Sequence, residues 1–130
     1  MALTVLDASV LIAFLDRSDV HHEAAAGALA ARRSDELVVP SSVYAEALVG
    51  PLRRGKAAVE KLDSFFADFG MRIEPLSAQI ARRAATLRAR TASLRLPDAF
   101  VLATGDVLEA DAVLTADRAW ARVSRRARSI

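Results

Sequence analysis

The segment Leu94-Arg95-Leu96-Pro97-Asp98-Ala99-Phe100-Val101-Leu102-Ala103-Thr104-Gly105-Asp106-Val107-Leu108-Glu109 decides how the rest of the chain reads. Pro97 and Asp98 open a helix whose first two turns are almost wholly apolar, so the helix is expected to be buried with Asp98 leading into it. An Asp at a helix start is ordinarily a cap, accepting hydrogen bonds from the free N–H groups of the first turn. Taken alone, Asp98 would be given that role. Three further carboxylates change the reading. Asp7 directly follows the apolar run Thr4-Val5-Leu6, Asp117 closely follows Ala112-Val113-Leu114-Thr115, and Glu46 lies inside the apolar helical stretch from Val43 to Val49. An ionised carboxylate is expensive to bury without a partner. Acids at Asp7, Glu46, Asp98 and Asp117, all at the ends or inside of buried elements, point to one shared metal site.

Working outward, Thr4–Leu6, Glu36–Val39, Met71–Glu74 and Ala112–Thr115 read as short buried strands. Between them the periodicity predicts helices over Ala8–Leu15, over His21–Arg33, and from Ser41 or Ser42 through Val49, the last stopped by Gly50 and Pro51. Asp7 or Ser9 is expected to cap the first of these. A further helix carries Val59, Leu62, Phe65, Phe66 and Phe69 at helical spacing, and Ser77 caps another from Ala78 to about Thr91. Strands alternating with helices imply an α/β fold, a parallel central sheet of four or five strands with helices on both faces. In such sheets ligands bind beyond the C-terminal ends of the strands at the switch in strand order, and Asp7 and Asp117 both lie at such ends. His21 and His22 are adjacent, about 100° apart on a helix, so they cannot act as a ligand pair and read as surface residues. The tail from Arg118 to Arg128 reads as either a short last strand or a basic arm.

The 130 residues show no break in composition, and 53% are hydrophobic, which fits a single domain over 1–130 with a real core. There is no Cys, so thiolate metal sites are excluded and oxygen or imidazole ligands remain. Neither a membrane span nor a signal-peptide pattern is visible, which makes the cytoplasm the expected location. Formal charge is only +2, from 18 basic and 16 acidic residues. Gathering several acids in one hollow leaves the remaining surface more basic than that total, and nearly all the basic residues are Arg, the better bidentate phosphate ligand. An acidic, metal-filled hollow within an Arg-rich surface suits a polyanionic substrate.

These motifs resemble those of the PIN-domain ribonucleases, specifically the VapC-like toxins of bacterial toxin–antitoxin pairs. Val5-Leu6-Asp7-Ala8-Ser9 is similar to that family's opening strand with its first acid and the hydroxyl two residues on. Ser42 to Glu46 resembles the helix start with the second acid, Leu96-Pro97-Asp98-Ala99-Phe100 the third, and Val113-Leu114-Thr115-Ala116-Asp117 the strand ending in a hydroxyl and the fourth acid. Two departures stand out. Gly105 occupies a place where relatives usually carry Ala, at an expected helix cost of about 1 kcal/mol, and an Arg-rich segment replaces the last strand after Trp120.

The resemblance implies a metal-dependent endoribonuclease that leaves a 5′-phosphate and a 3′-hydroxyl, a protein antitoxin that blocks the site, and a homodimer. Oxygen-only ligands suit Mg²⁺, with Mn²⁺ able to substitute. Asp7 and Asp98 are the expected principal ligands, Glu46 a ligand or a base acting through water, and Asp117 a ligand of a second, weaker metal. Ser9 and Thr115 are expected to orient waters or carboxylates behind them. Self-association is expected through the aromatic helix from Val59 to Phe69 and the Ala-rich helices, and RNA binding through Arg125, Arg126 and Arg128. Two rival readings have discriminating features. A haloacid-dehalogenase-like phosphatase needs a second Asp two residues after the first, where this chain has Ser9. A non-catalytic PIN-like interaction or RNA-binding module is the real alternative; four retained acids speak against it, and divalent-metal binding with RNA cleavage separates the two.

Overall fold

Val5, Leu6, Val38, Val39, Val113 and Leu114 are apolar on both faces of their strands and almost completely buried, as parallel strands covered on both sides require. The computed structural model describes residues 1–130 and contains five strands: β1 (Leu3–Leu6), β2 (Glu36–Pro40), β3 (Arg72–Glu74), β4 (Ala112–Thr115) and β5 (Ala127–Ser129). All pair in parallel, in the order β3-β2-β1-β4-β5. Six helices connect them, α1 (Ala8–Leu15), α2 (His22–Ala31), α3 (Ser41–Arg54), α4 (Lys56–Asp68), α5 (Ala78–Arg90) and α6 (Leu96–Val107), with a 3₁₀ turn over Arg118–Arg122. Helix α1 packs against both α2 and α3, and α3 against α4, whereas α5 and α6 pack together and α6 lies across β1, β2 and β4. Right-handed crossovers that run outward from β1 to β3 and then return to β4 put these two groups on opposite faces. The fold is therefore the expected three-layer α/β/α arrangement.

The structure corrects several local expectations. Helix α3 does not stop at Gly50 and Pro51 but runs to Arg54 with Pro51 inside it. Proline removes one N–H from the ladder, yet Pro51 is buried, and the stop is instead Gly55, whose φ of 119° favours glycine. Neither Ser41 nor Ser42 caps this helix, since Pro40 holds the N-cap position. Gly105 is a packing requirement, because a Cβ there would sit 2.5 Å from Cγ2 of the buried Val113 on β4. The tail is an edge strand, β5, held in register with β4 at Val113–Ala127 and Thr115–Ser129 and anchored by the buried Trp120. Arg126 is consumed in that anchoring: its Nε lies 3.4 Å from Asp106 and its Nη1 donates to the Ala110 carbonyl. Arg128 donates to the Arg125 and Ala127 carbonyls. Two of the three tail arginines expected to hold RNA are thus bound within the chain.

The aromatic helix spends its face internally. Leu62, Phe65 and Phe66 are buried, and Phe14, Phe65 and Phe69 cluster with centroids 5.0 to 5.6 Å apart, Phe14 stacked on Phe65 and edge-on to Phe69. That face offers nothing to a second copy, so the basis for self-association through it is lost. His22 is not simply a surface residue either; its Nδ1 lies 2.9 Å from the Ala13 carbonyl and its ring stacks on Phe14. No helix is long and apolar enough to cross a membrane.

Candidate active site

β1 and β4 are adjacent in the sheet, and the chain turns outward in opposite directions from them, so the crevice beyond their C-terminal ends is the switch point of this topology. Asp7 leaves β1 there, its backbone N–H donating to the Leu114 carbonyl at 3.0 Å. It occupies the N-cap position of α1, yet its side chain makes no capping bond. Instead Oδ2 accepts hydrogen bonds from Ser9 Oγ at 2.7 Å and from Thr115 Oγ1 at 3.0 Å. Each hydroxyl is itself held: Ser9 Oγ accepts from the Ala116 N–H at 3.0 Å, and Thr115 Oγ1 from the Asp117 N–H at 3.1 Å. The two loops are thereby tied into one unit. One oxygen of Asp7 is doubly anchored, and the other has no hydrogen bond within the chain.

The remaining acids arrive from both helical layers. Glu46 comes from the second turn of α3 and has no salt-bridge partner. Burial pushes its carboxyl above the ordinary glutamate range, and the charges of Asp7 and Asp98 push it further, against the opposing pull of Arg95. Asp98 is not the cap of α6; Arg95 is the N-cap residue, and Asp98 lies in the first turn without capping it. Its carboxyl is likewise raised, chiefly by burial and then by Asp7 and Asp117, with Arg95 again opposing. Asp117 follows β4 and caps the 3₁₀ turn, its Oδ1 accepting from the Ala119 N–H at 2.9 Å. All four acids thus share one electrostatic neighbourhood.

They do not close into a finished ligand cage, for no three carboxylate or imidazole groups take up metal-ligand geometry. The reasons are local. Asp98 leans to Arg95 with Oδ2 3.6 Å from Nε, and one oxygen each of Asp7 and Asp117 is engaged in hydrogen bonds. The donor set nevertheless fits a hard divalent cation, since it is all oxygen and two of its carboxyls are raised, first by burial and then by the neighbouring acids, which a bound cation would offset. Arg95 is the residue that the sequence reading missed. The available signal was its position three residues before Asp98 at a helix start, where side chains of opposite charge meet. Beside Glu46 a groove opens between α1, α3 and α4, floored by Leu15 and Pro51, with Asp16 on its α1 side and Arg54 and Lys61 along its α3 and α4 edge.

Comparison with known proteins agrees with this architecture. The fold matches VapBC2 from Rickettsia felis bound to a promoter DNA fragment, with a TM-score of 0.80 and 16% identity over 98% of each chain. It matches a toxin–antitoxin complex from Klebsiella pneumoniae with a TM-score of 0.76 and 24% identity, covering 99% of this chain and 97% of that one. VapC20 from Mycobacterium tuberculosis, a sarcin-ricin loop cleaving toxin, gives a TM-score of 0.68 and 19% identity over 85% of this chain and 86% of its own. A search of curated protein sequences finds no match. The PIN domain family model matches residues 4–126, nearly the whole chain, and the chain belongs to the PIN domain family.

Proposed function

We propose that this chain is a divalent-metal-dependent endoribonuclease, formed by one PIN domain over residues 1–130 and acting as the toxin of a cytoplasmic toxin–antitoxin pair. The observation that carries this reading is the setting of Asp7, doubly anchored at the sheet's switch point beside Glu46 and Asp98, whose carboxyls are both raised. Membership of a nuclease family supports it, as do structural neighbours that are toxin–antitoxin complexes and a toxin that cleaves the sarcin-ricin loop.

Asp7 and Asp98 would be the principal ligands of Mg²⁺, or of Mn²⁺ in its place, with Glu46 a ligand or a base acting through water and Asp117 a more weakly engaged ligand. A bound divalent cation lowers the pKa of a coordinated water and stabilises charge on the departing oxygen. Ser9 and Thr115 keep Asp7 in one rotamer, so less ordering is required when the site fills. Arg54 lines the groove beside Glu46, and Arg118 and Arg122 follow Asp117 in the 3₁₀ turn; these cations would meet RNA phosphates. Products would carry a 5′-phosphate and a 3′-hydroxyl. The apolar floor and cationic edge of the groove suit an amphipathic, acidic antitoxin segment. A homodimer completes the reading, and sedimentation across the micromolar range tests it.

The decisive experiment is cleavage of total RNA by the parent, Asp7→Asn and Asp98→Asn in Mg²⁺, in Mn²⁺ and in chelator. Cleavage by the parent only, and only with metal, is expected, with each variant reduced at least about a hundredfold. Undiminished cleavage in chelator by nuclease-free material would sink the metal mechanism. Absence of cleavage in every arm would favour a non-catalytic module.

A further inference from the structure

We propose that Arg95 is an internal competitor for the cation site: in the metal-free protein its guanidinium stands beside Asp98, and on metal binding it is released to meet the incoming phosphate. The proposal rests on the metal-site reading given above. Arg95 is the N-cap residue of α6, with an extended backbone of φ −75° and ψ 151°. From there its side chain runs along the first turn to Asp98, with Nε 3.6 Å from Oδ2. The two ends of this pair differ. Asp98 keeps only 23% of its side chain exposed, whereas Arg95 keeps 79%. An exposed ion pair of that kind is weak and easily exchanged.

Its reach extends beyond one partner. The charge of Arg95 acts on Glu46 as well as Asp98, so one guanidinium offsets two of the four acids. A divalent cation needs the same lone pairs, and a guanidinium left about 4 Å away would repel it by about thirtyfold in affinity at the dielectric of water, reduced to roughly three- to tenfold by salt and by the mobility of the exposed side chain. Release removes that repulsion. It also leaves a planar, permanently charged fork at the mouth of the site, the geometry that binds phosphate in bidentate fashion. Arg95 should therefore oppose one ligand and favour the other, whereas a residue that only supported the fold would weaken both or neither.

The test is calorimetric titration of metal-stripped full-length protein with Mn²⁺, comparing the parent with Arg95→Gln, Arg95→Lys, Asp98→Asn and, as a distant charge control, Arg82→Gln. Arg95→Gln should bind Mn²⁺ about three- to tenfold more tightly, Arg95→Lys should stay within about twofold of the parent, and Asp98→Asn should lose binding. In the second measurement, a phosphorothioate single-stranded RNA of mixed sequence is bound in Mn²⁺ at several salt concentrations. The salt slope of Arg95→Gln should fall by about one unit. Equal or weaker Mn²⁺ affinity in Arg95→Gln, the same gain in Arg82→Gln, or an unchanged salt slope overturns the proposal. If Asp98→Asn loses Mn²⁺ while Arg95→Gln titrates like the parent, the competitor role alone fails. If Asp98→Asn also titrates like the parent, the metal-site reading fails and takes this one with it.

Discussion

Glu46 and Asp98 are the carboxyls that this fold disfavours as anions, burial being the first cause for both. The folded protein therefore holds their protons more tightly than the unfolded chain does. Their contribution to stability is fully present below the unfolded carboxylate range, at about pH 4, and is lost as the pH rises through their raised values. In chelator, Glu46→Gln should melt close to the parent at low pH and increasingly above it towards neutrality; a temperature gap that does not change with pH would deny the shift. Asp98→Asn should likewise be more stable than the parent without metal, because the acids and burial outweigh Arg95. Metal should reverse the order, since binding only to the folded state adds about 2.7 kcal/mol at a hundredfold excess over Kd, and the variant would forfeit much of it. Parallel shifts of both melts in millimolar Mn²⁺ would mean that Asp98 is not a ligand. The acids were legible in the sequence because each interrupts or ends an apolar run. Arg95 was legible only in part: its spacing of three from Asp98 at a helix start offered a pairing, but an exposed arginine before Leu96 and Pro97 looks like any solvated residue until the backbone turn into α6 is known.

Elements were legible where a single period dominates and less so where tertiary packing decides. β1, β2, β4 and the buried start of α6 follow from short apolar runs and turn residues. The end of α3 does not, because burial of Pro51 keeps the helix going past a Gly-Pro pair that would ordinarily stop it. β5 was legible only as one of two alternatives, a short last strand or a basic arm, because its place in the sheet depends on Trp120 and on Asp106, which also binds Arg83 at 2.8 Å. Gly105 is the sharpest reversal. From propensity alone, Gly105→Ala should stabilise α6 by about 1 kcal/mol. The contact of only 2.5 Å with Val113 Cγ2 reverses that sign, because Val113 is fully buried on β4 and its branched side chain has one comfortable rotamer there. Gly105→Ala should therefore destabilise by roughly 1–3 kcal/mol. Val113→Ala, destabilising alone through its cavity, should recover part of that loss in the double variant. Strict additivity in urea melts of the four proteins would show that the contact is not the cause.

At the scale of the whole molecule, the two helical layers leave different surfaces. α6 is almost wholly consumed by the sheet and α5, whereas Ile12, Leu15, Val49 and Leu52 on α1 and α3 stay 44% to 64% exposed. Leu15 lies in the groove that begins beside Glu46 and passes Pro51, Arg54 and Ala58 towards Lys61. A partner segment seated there would cover apolar surface, meet two cations along its edge and end next to the acids. One docking event could then both bind the protein and occlude its site, as inhibition by an antitoxin requires. Ala58 lies in the part of the groove that Glu46 does not line, so Ala58→Glu tests the docking without touching the acids. The new side chain would fill the groove and place a negative charge where an acidic partner should sit. Neutralisation by the cognate antitoxin should weaken at least about tenfold, a loss of roughly 1.4 kcal/mol, while RNA cleavage by the free protein and its melting temperature stay near those of the parent. Equal neutralisation of both proteins in a cleavage titration would move the antitoxin to another face.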